Sequence, residues 1–297
     1  MTAQFKEVAR DIYWLKGSIP GLTGIFSAYI VKGENNVLIE PGPATLIPAI
    51  QEAAKNISVN SFSHIIPTHI HLDHAGALGK LSRLYPDAKI VVNAVSPKHL
   101  IDPSRLIQST KMAFGDDYAL KYGAIEPVPE SKIKIVKDGD KISVGDRDLT
   151  IIDAPGHASH HIVILDAMTG GLFCGEALGL IYNEGIQPLP AVAPPGFDEV
   201  LYIETMKRLQ KLKPKLLFYS HDGVGYEPET QISQAIKNSI EFGQAILHAL
   251  KKGETEDAII ESMGDYVLEH FGARLDAYDL ASNVKGYVFY YNRKGII

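Results

Sequence analysis

The chain has 297 residues, 45% hydrophobic and 22% charged, which is globular composition and excludes a wholly disordered chain. Lys and Arg number 29 against 35 Asp and Glu, a net charge of −6, so neither nucleic acid nor an anionic membrane, both bound through basic patches, is an expected partner. The single cysteine excludes an internal disulfide framework and a four-thiolate zinc site.

The opening run MTAQFKEVARDIYWLKG has no basic stretch followed by an apolar one, so no export signal is expected. No apolar run approaches the roughly 18 residues that a membrane helix needs, and a cytoplasmic protein is the expectation. Residues 11–16 and 26–40 read as strands, the second forming a hairpin around Gly33–Asn36. Residues 44–55 are Ala-rich and periodic, hence helical. A buried strand at 63–68 leads into the run HIHLDHAG, a helix near 75–84 and a strand at 89–94. Helix is expected over 104–122, and short strands over 132–153. A hairpin spans 161–166 and 172–175, and a Gly- and Pro-rich loop covers 179–196. Helix at 197–212 and strand at 215–220 follow. After Gly225, Ile232, Ile236, Ile240, Ile246, Leu247 and Leu250 recur at helical spacing, as do Ile259, Ile260, Met263, Tyr266, Val267 and Phe271. Two domains are expected, 1–225 carrying the site and a helical appendage over 226–297. The apolar face of that appendage calls for a cover, either the first domain or a second copy in a homodimer.

The informative segment is Thr68-His69-Ile70-His71-Leu72-Asp73-His74. Three imidazoles and a carboxylate within six residues concentrate nitrogen and oxygen donors, the set that zinc, iron and related metals take. Strand precedes the run and helix follows it, so the donors sit on a turn where side chains converge.

The run resembles the HxHxDH signature of the metallo-β-lactamase superfamily, and the resemblance extends over most of residues 10–222. LIEPGP (38–43) is similar to the family's first motif, PGHASHH (155–161) to the segment carrying a third ligand, FCGEALG (173–179) to that of a bridging carboxylate, and SHDG (220–223) to that of the last histidine. The resemblance implies a four-layer αβ/βα sandwich holding two divalent metal ions, zinc first, with iron or manganese as alternatives. It assigns His69, His71 and His157 to one metal, Asp73, His74 and His221 to the other, and Glu176 to the bridging position. Glu40 and Glu176 stand where the family usually has Asp, and the extra methylene of Glu176 leaves two alternatives, a bridge from a strand end set further back or a bond to one metal alone.

The implied chemistry is hydrolysis of a small-molecule ester, thioester or lactone, in the manner of glyoxalase II-like or lactonase-like members, with Asp73 steering the nucleophile. A glyoxalase II would bring a basic segment after the bridging acid, where this chain reads ALGLIYNEGIQPLP. RNA processing fits poorly, because residues 223–297 hold seven Lys and Arg against eleven Asp and Glu. The alternatives are an iron-dependent oxidoreductase of the mononuclear dioxygenase type and a metal-bound sensor with weak hydrolysis. Tyr182, Tyr287, Phe289 and Tyr291 are candidates for lining a substrate pocket, with core packing the competing reading.

Overall fold

The computed structural model describes residues 2–19, 25–181, 187–272, 274–275 and 277–297. The chain divides into two compact units. One comprises Met1–Asp153, His160–Gly175 and Lys215–Val224, the other Ala154–Ser159, Glu176–Pro214 and Gly225–Ile297.

The first unit is built on two sheets. In one, seven strands lie side by side in chain order: β1 (Thr2–Ala9), β2 (Ile12–Ser18), β3 (Ile25–Val31), β4 (Val37–Ile39), β5 (His64–Ile66), β6 (Lys89–Asn93) and β7 (Ile133–Val136). Pairing is antiparallel as far as β4 and parallel from there to β7. Parallel neighbours require crossovers. These are α1 (Ile47–Asn56), then α2 (Leu72–Ala75) with α3 (Leu78–Leu84), then α4 (Pro97–Ile101), α5 (Ser104–Phe114) and α6 (Tyr118–Tyr122). The other sheet runs β8 (Lys141–Ser143), β9 (Asp148–Asp153), β10 (Ile162–Asp166), β11 (Gly171–Gly175), β12 (Leu216–Tyr219) and β13 (Val224–Gly225), with β11 and β12 parallel.

Strand alternation explains why the first sheet reads as nearly continuous apolar sequence. Ile12, Trp14, Tyr29, Val31, Val37, Ile39, Ile66 and Val91 turn to the core shared with Leu149, Ile151, Ile162, Ile164, Phe173 and Phe218 of the second sheet. Their neighbours Leu15, Ala28, Ile30, Leu38, Ile65, Ile90 and Val92 turn the other way, onto helical residues such as Ile50, Ala53, Leu78 and Leu81. Both faces of the central strands β3 and β4 are therefore buried, and polar residues are few along them.

The sequence reading lacks β1. Its TAQFKEVA carries charge at Lys6 and Glu7, lies at the sheet edge beside β2 and buries little, so its apolar signal is faint. The helix expected over 104–122 is two helices. Gly115, at φ +87°, stops α5 and α6 restarts after it. Among the described residues no helix is long and apolar enough to cross a membrane.

The second unit is helical: α7 (Glu199–Lys211), α8 (Pro228–Lys251), α9 (Glu256–Phe271) and α10 (Ala277–Arg293). Asp198 caps α7 by accepting from Leu201 N–H at 3.2 Å, and Thr255 caps α9 by accepting from Ala258 N–H at 3.3 Å. The buried stripe of α8 is Ile232, Ala235, Ser239, Phe242, Ile246 and Ala249, covered by α7, α9 and α10 of the same unit. Ile236, Ile240, Leu247 and Leu250 flank it, half-buried. The stripe is rotated from the expected one because small residues sit at its centre. Gly243 admits the rings of Tyr287 and Tyr291, whose hydroxyls donate to Ser239 O and Gly243 O, each at 2.9 Å. Tyr287 and Tyr291 thus belong to the helical core rather than to a pocket wall, Phe289 is exposed, and Tyr182 lies outside the described residues.

Candidate metal centre

The parallel pairing of β4 and β5 sets the residues that follow them side by side. Just past β4, Glu40 takes φ +57°, an uncommon backbone for a residue with a side chain. That turn sends its buried carboxylate toward the loop after β5, where Oε1 accepts from Thr68 N–H at 2.6 Å and Oε2 meets Nδ1 of His74. His74 then presents Nε2 to Asp73 Oδ2 at 3.2 Å. His69 Nε2 and His71 Nδ1 stand 2.9 Å apart, with Thr68 Oγ1 3.1 Å from the other His69 nitrogen. His221, just past β12, has Nδ1 3.1 Å from Ile25 O and Nε2 3.4 Å from Asp73 Oδ2.

Glu176 follows β11, whose pairing with β12 slips between Phe173 and Gly175. Gly175 takes φ +53°, and a Cβ there would lie 2.5 Å from Thr68 Oγ1 and 2.7 Å from His161 Nε2. A bulge and a glycine together re-aim the chain at the strand end. Glu176 Oε2 lies 2.8 Å from His157 Nε2, while His157 Nδ1 is 3.0 Å from Ala191 O.

All seven residues singled out in the sequence are brought together. Among the described residues, two groups have ligand atoms lying within 4.8 Å of one another: His69, His71, His157 and Glu176, and Asp73, His74, Glu176 and His221. A carbonyl oxygen only accepts, so Nδ1 of His157 and of His221 carries a proton, and in the neutral ring Nε2 is left with the lone pair that a metal takes. Glu40 does the same for His74. A neutral Nε2 facing a carboxylate oxygen needs a proton or a metal ion between the two, and the converging imidazole and carboxylate donors are those of zinc and iron. The residues fit a divalent metal.

Sequence reasoning missed the part played by Glu40. Its signal was the first motif itself, but only the structure shows its carboxylate orienting His74, as outer carboxylates orient metal-bound histidines. Three other histidines and the cysteine stand apart from the two groups. His161 is buried and stacks on His69 at 4.8 Å, and His160 lies 6.3 Å from the His69 ring; neither belongs to a ligand group. Cys174 is buried, with its thiol donating to Phe218 O at 3.3 Å and its pKa pushed up by burial, so it packs rather than reacts. His64 is held neutral, its pKa lowered to about 4 by burial and by Lys134.

The profile of the metallo-beta-lactamase superfamily matches residues 20–221, more than half of the chain. The chain belongs to this superfamily. It is similar to the metallo-beta-lactamase fold-containing protein ST1585 of Sulfurisphaera tokodaii, 29% identical over 204 residues that cover 67% of this chain and 74% of that one. The solved structure of ST1585 covers 94% of this chain and 99% of its own at TM-score 0.71 and 24% identity, which establishes the fold of the superfamily, with its two sheets and outer helices. Two further relatives differ in the activity they are named for. A hydroxyacylglutathione hydrolase of Haemophilus ducreyi is 29% identical over 161 residues, 54% of this chain and 53% of that protein. A coenzyme F420H2 oxidase of Methanothermobacter marburgensis is 24% identical over 268 residues, 77% of this chain and 59% of the oxidase.

Proposed function

We propose that this superfamily member is a metal-dependent hydrolase of small-molecule esters, thioesters or lactones. The observation that carries the reading is the double ligand set, His69, His71, His157 and Glu176 beside Asp73, His74, Glu176 and His221. When bound there, a divalent metal supplies acidified water and a Lewis acid for the substrate oxygen. In this reading Glu176 serves both groups, Glu40 fixes the tautomer of His74, and Asp73 orients the attacking water by accepting its hydrogen bond. Water adds to the carbonyl carbon, the acyl C–O or C–S bond breaks, and the water's proton leaves with the alcohol or thiol. The similarity to hydroxyacylglutathione hydrolase supports a thioester among the substrates. Neither a serine nor a cysteine nucleophile is required, consistent with a buried Cys174.

A second reading, an iron-dependent oxidoreductase, draws support from the similarity to coenzyme F420H2 oxidase over 77% of this chain. One experiment separates the two. The purified protein is analysed for zinc, iron and manganese and assayed against thioesters, lactones and esters, and for oxygen consumption with thiol substrates. Zinc or manganese with hydrolysis supports the first reading. Iron with oxygen uptake and no hydrolysis replaces it with the second, and metal without turnover leaves a sensor.

A further inference from the structure

We propose that the hydroxyl of Tyr202 is the positioning group that sets both His157 and Glu176 in ligand geometry, an inference that rests on the metal-centre reading above. Tyr202 lies in the first turn of α7 and is fully buried. Its hydroxyl donates to the backbone carbonyl of Glu176 at 2.9 Å and accepts from Ala191 N–H at 3.2 Å. Ala191 in turn accepts, through its own carbonyl, the Nδ1–H of His157 at 3.0 Å. One hydroxyl therefore fixes the backbone of one ligand and, through a single residue, the ring of the other. Those two side chains meet at 2.8 Å. A hydroxyl has one proton to give and lone pairs to receive, so both roles are filled without conflict.

The surroundings leave that hydroxyl little freedom. The Tyr202 ring packs edge-on to Phe197 at 5.5 Å, and Phe197 packs on Tyr287 at 4.9 Å. The loop carrying His157 is seated on the same helix. Asp198 N–H donates to Gly156 O at 2.8 Å, and the Thr205 hydroxyl donates to Pro155 O at 2.6 Å. Gly156 takes φ +136°, and a Cβ there would lie 2.3 Å from Tyr202 Cα, so glycine is what allows this approach. Three segments separated along the chain, at Glu176, Ala191 and Tyr202, thus meet at one oxygen atom, and the loop of His157 joins them through Ala191. Without it the buried Ala191 N–H loses its acceptor, and the carbonyl that holds His157 loses its anchor.

Tyr202→Phe keeps the ring and removes only that oxygen. Zinc is titrated into the metal-free protein against a chromophoric chelator, with the urea midpoint of each metal-free variant measured alongside. The control is Tyr287→Phe, which removes another buried tyrosine hydroxyl bonded to a backbone carbonyl. Loss of an outer partner of a metal ligand typically lowers affinity about 10–100-fold. That loss is expected for Tyr202→Phe in the zinc equivalent that needs His157, with a changed visible spectrum of the cobalt-loaded protein. Tyr287→Phe should bind as wild type does. Equal affinity losses in both variants, or none in Tyr202→Phe, overturn the proposal. Should Tyr202→Phe not fold, hydrogen exchange at the wild-type Ala191 amide decides: slow exchange supports the bond to Tyr202 and fast exchange overturns it. A wild-type protein that takes up no zinc overturns the metal-centre reading together with this one. A zinc-binding wild type with an indifferent Tyr202→Phe overturns the positioning role alone.

Discussion

The two ligand groups share Glu176 and otherwise differ in charge. The first offers three imidazoles and one carboxylate, the second two imidazoles and two carboxylates. With the acids ionised, the second group carries one negative charge more, and its harder oxygen donors suit a wider range of divalent metals. Their supports differ as well. His157 leans on a loop carbonyl, Ala191 O, whereas His74 leans on the carboxylate of Glu40 and His221 on Ile25 O, the first residue of β3. The two positions are therefore not equivalent, and substitutions ought to separate them. The largest separation is expected from His157→Ala, which removes a nitrogen from the first group only. Metal content should fall by about one equivalent while the other is retained, and hydrolysis should be lost. Retention of full stoichiometry would break the distinction between the groups.

Glu40→Gln probes the second group without touching a ligand. A carboxylate can only accept from His74 Nδ1, which leaves Nε2 with its lone pair free to ligate. The amide of glutamine can instead accept from Thr68 N–H and donate to His74 Nδ1, which moves the ring proton to Nε2. That proton blocks ligation. Affinity at the second group should fall about 10–100-fold, with the first group near wild type. Competitive chelator titration reads both equivalents, and an equal fall in the two would show that Glu40 acts on the whole cluster.

How much of this was legible in the sequence depends on how locally each feature is encoded. Residues 69–74 announce themselves because four donors fall within six residues. The apolar strands at the centre of the first sheet are also plain, since burial on both faces leaves few polar residues in them. What the sequence could not show are contacts closed over long separations. Glu40 meets Thr68 across 28 residues and Tyr202 meets Glu176 across 26, and no period or spacing marks either pair. Glu176 was found by resemblance, but the device that aims it, a register slip with Gly175 in the left-handed region, is a property of the folded strand end. The rotated stripe of α8 has the same origin. Its burial follows the small residues that admit Tyr287 and Tyr291, not the most apolar ones.

The strand end supplies the next prediction. Gly175→Ala adds a methyl within 2.5 Å of Thr68 Oγ1 and 2.7 Å of His161 Nε2, at a backbone angle that alanine adopts reluctantly. Strain and overpacking together should cost about 2–4 kcal/mol of stability. Because Thr68 adjoins His69 and Gly175 adjoins Glu176, the first group should weaken along with the fold. A urea titration with unchanged midpoint would mean that the strand end repacks freely.

The smallest expected effect concerns a histidine outside both groups. His74, His157 and His221 each have one nitrogen anchored and the other facing a carboxylate of the cluster. His64 has both engaged, Nδ1 with Ser63 Oγ at 3.0 Å and Nε2 facing Lys134 Nζ at 3.4 Å. Burial, and then the Lys134 ammonium, lower its pKa from 6.5 to about 4. The sign follows from linkage. A folded pKa below the unfolded one means that the unfolded chain takes up the proton more readily. The contribution of neutral His64 is present in full above about pH 6.5 and is lost as the pH falls toward 4. Because His64 is only half-buried, solvent screens part of the effect, so it should appear as a change of slope rather than as collapse. His64→Gln has no proton to gain. With chelator present, to keep metal release out of the measurement, its urea midpoint should fall less steeply than that of wild type between pH 6.5 and 4, while the gap between the two proteins stays constant above pH 7. Parallel curves across the whole range would mean that His64 does not titrate with unfolding, and that its neutrality owes nothing to Lys134 or to burial.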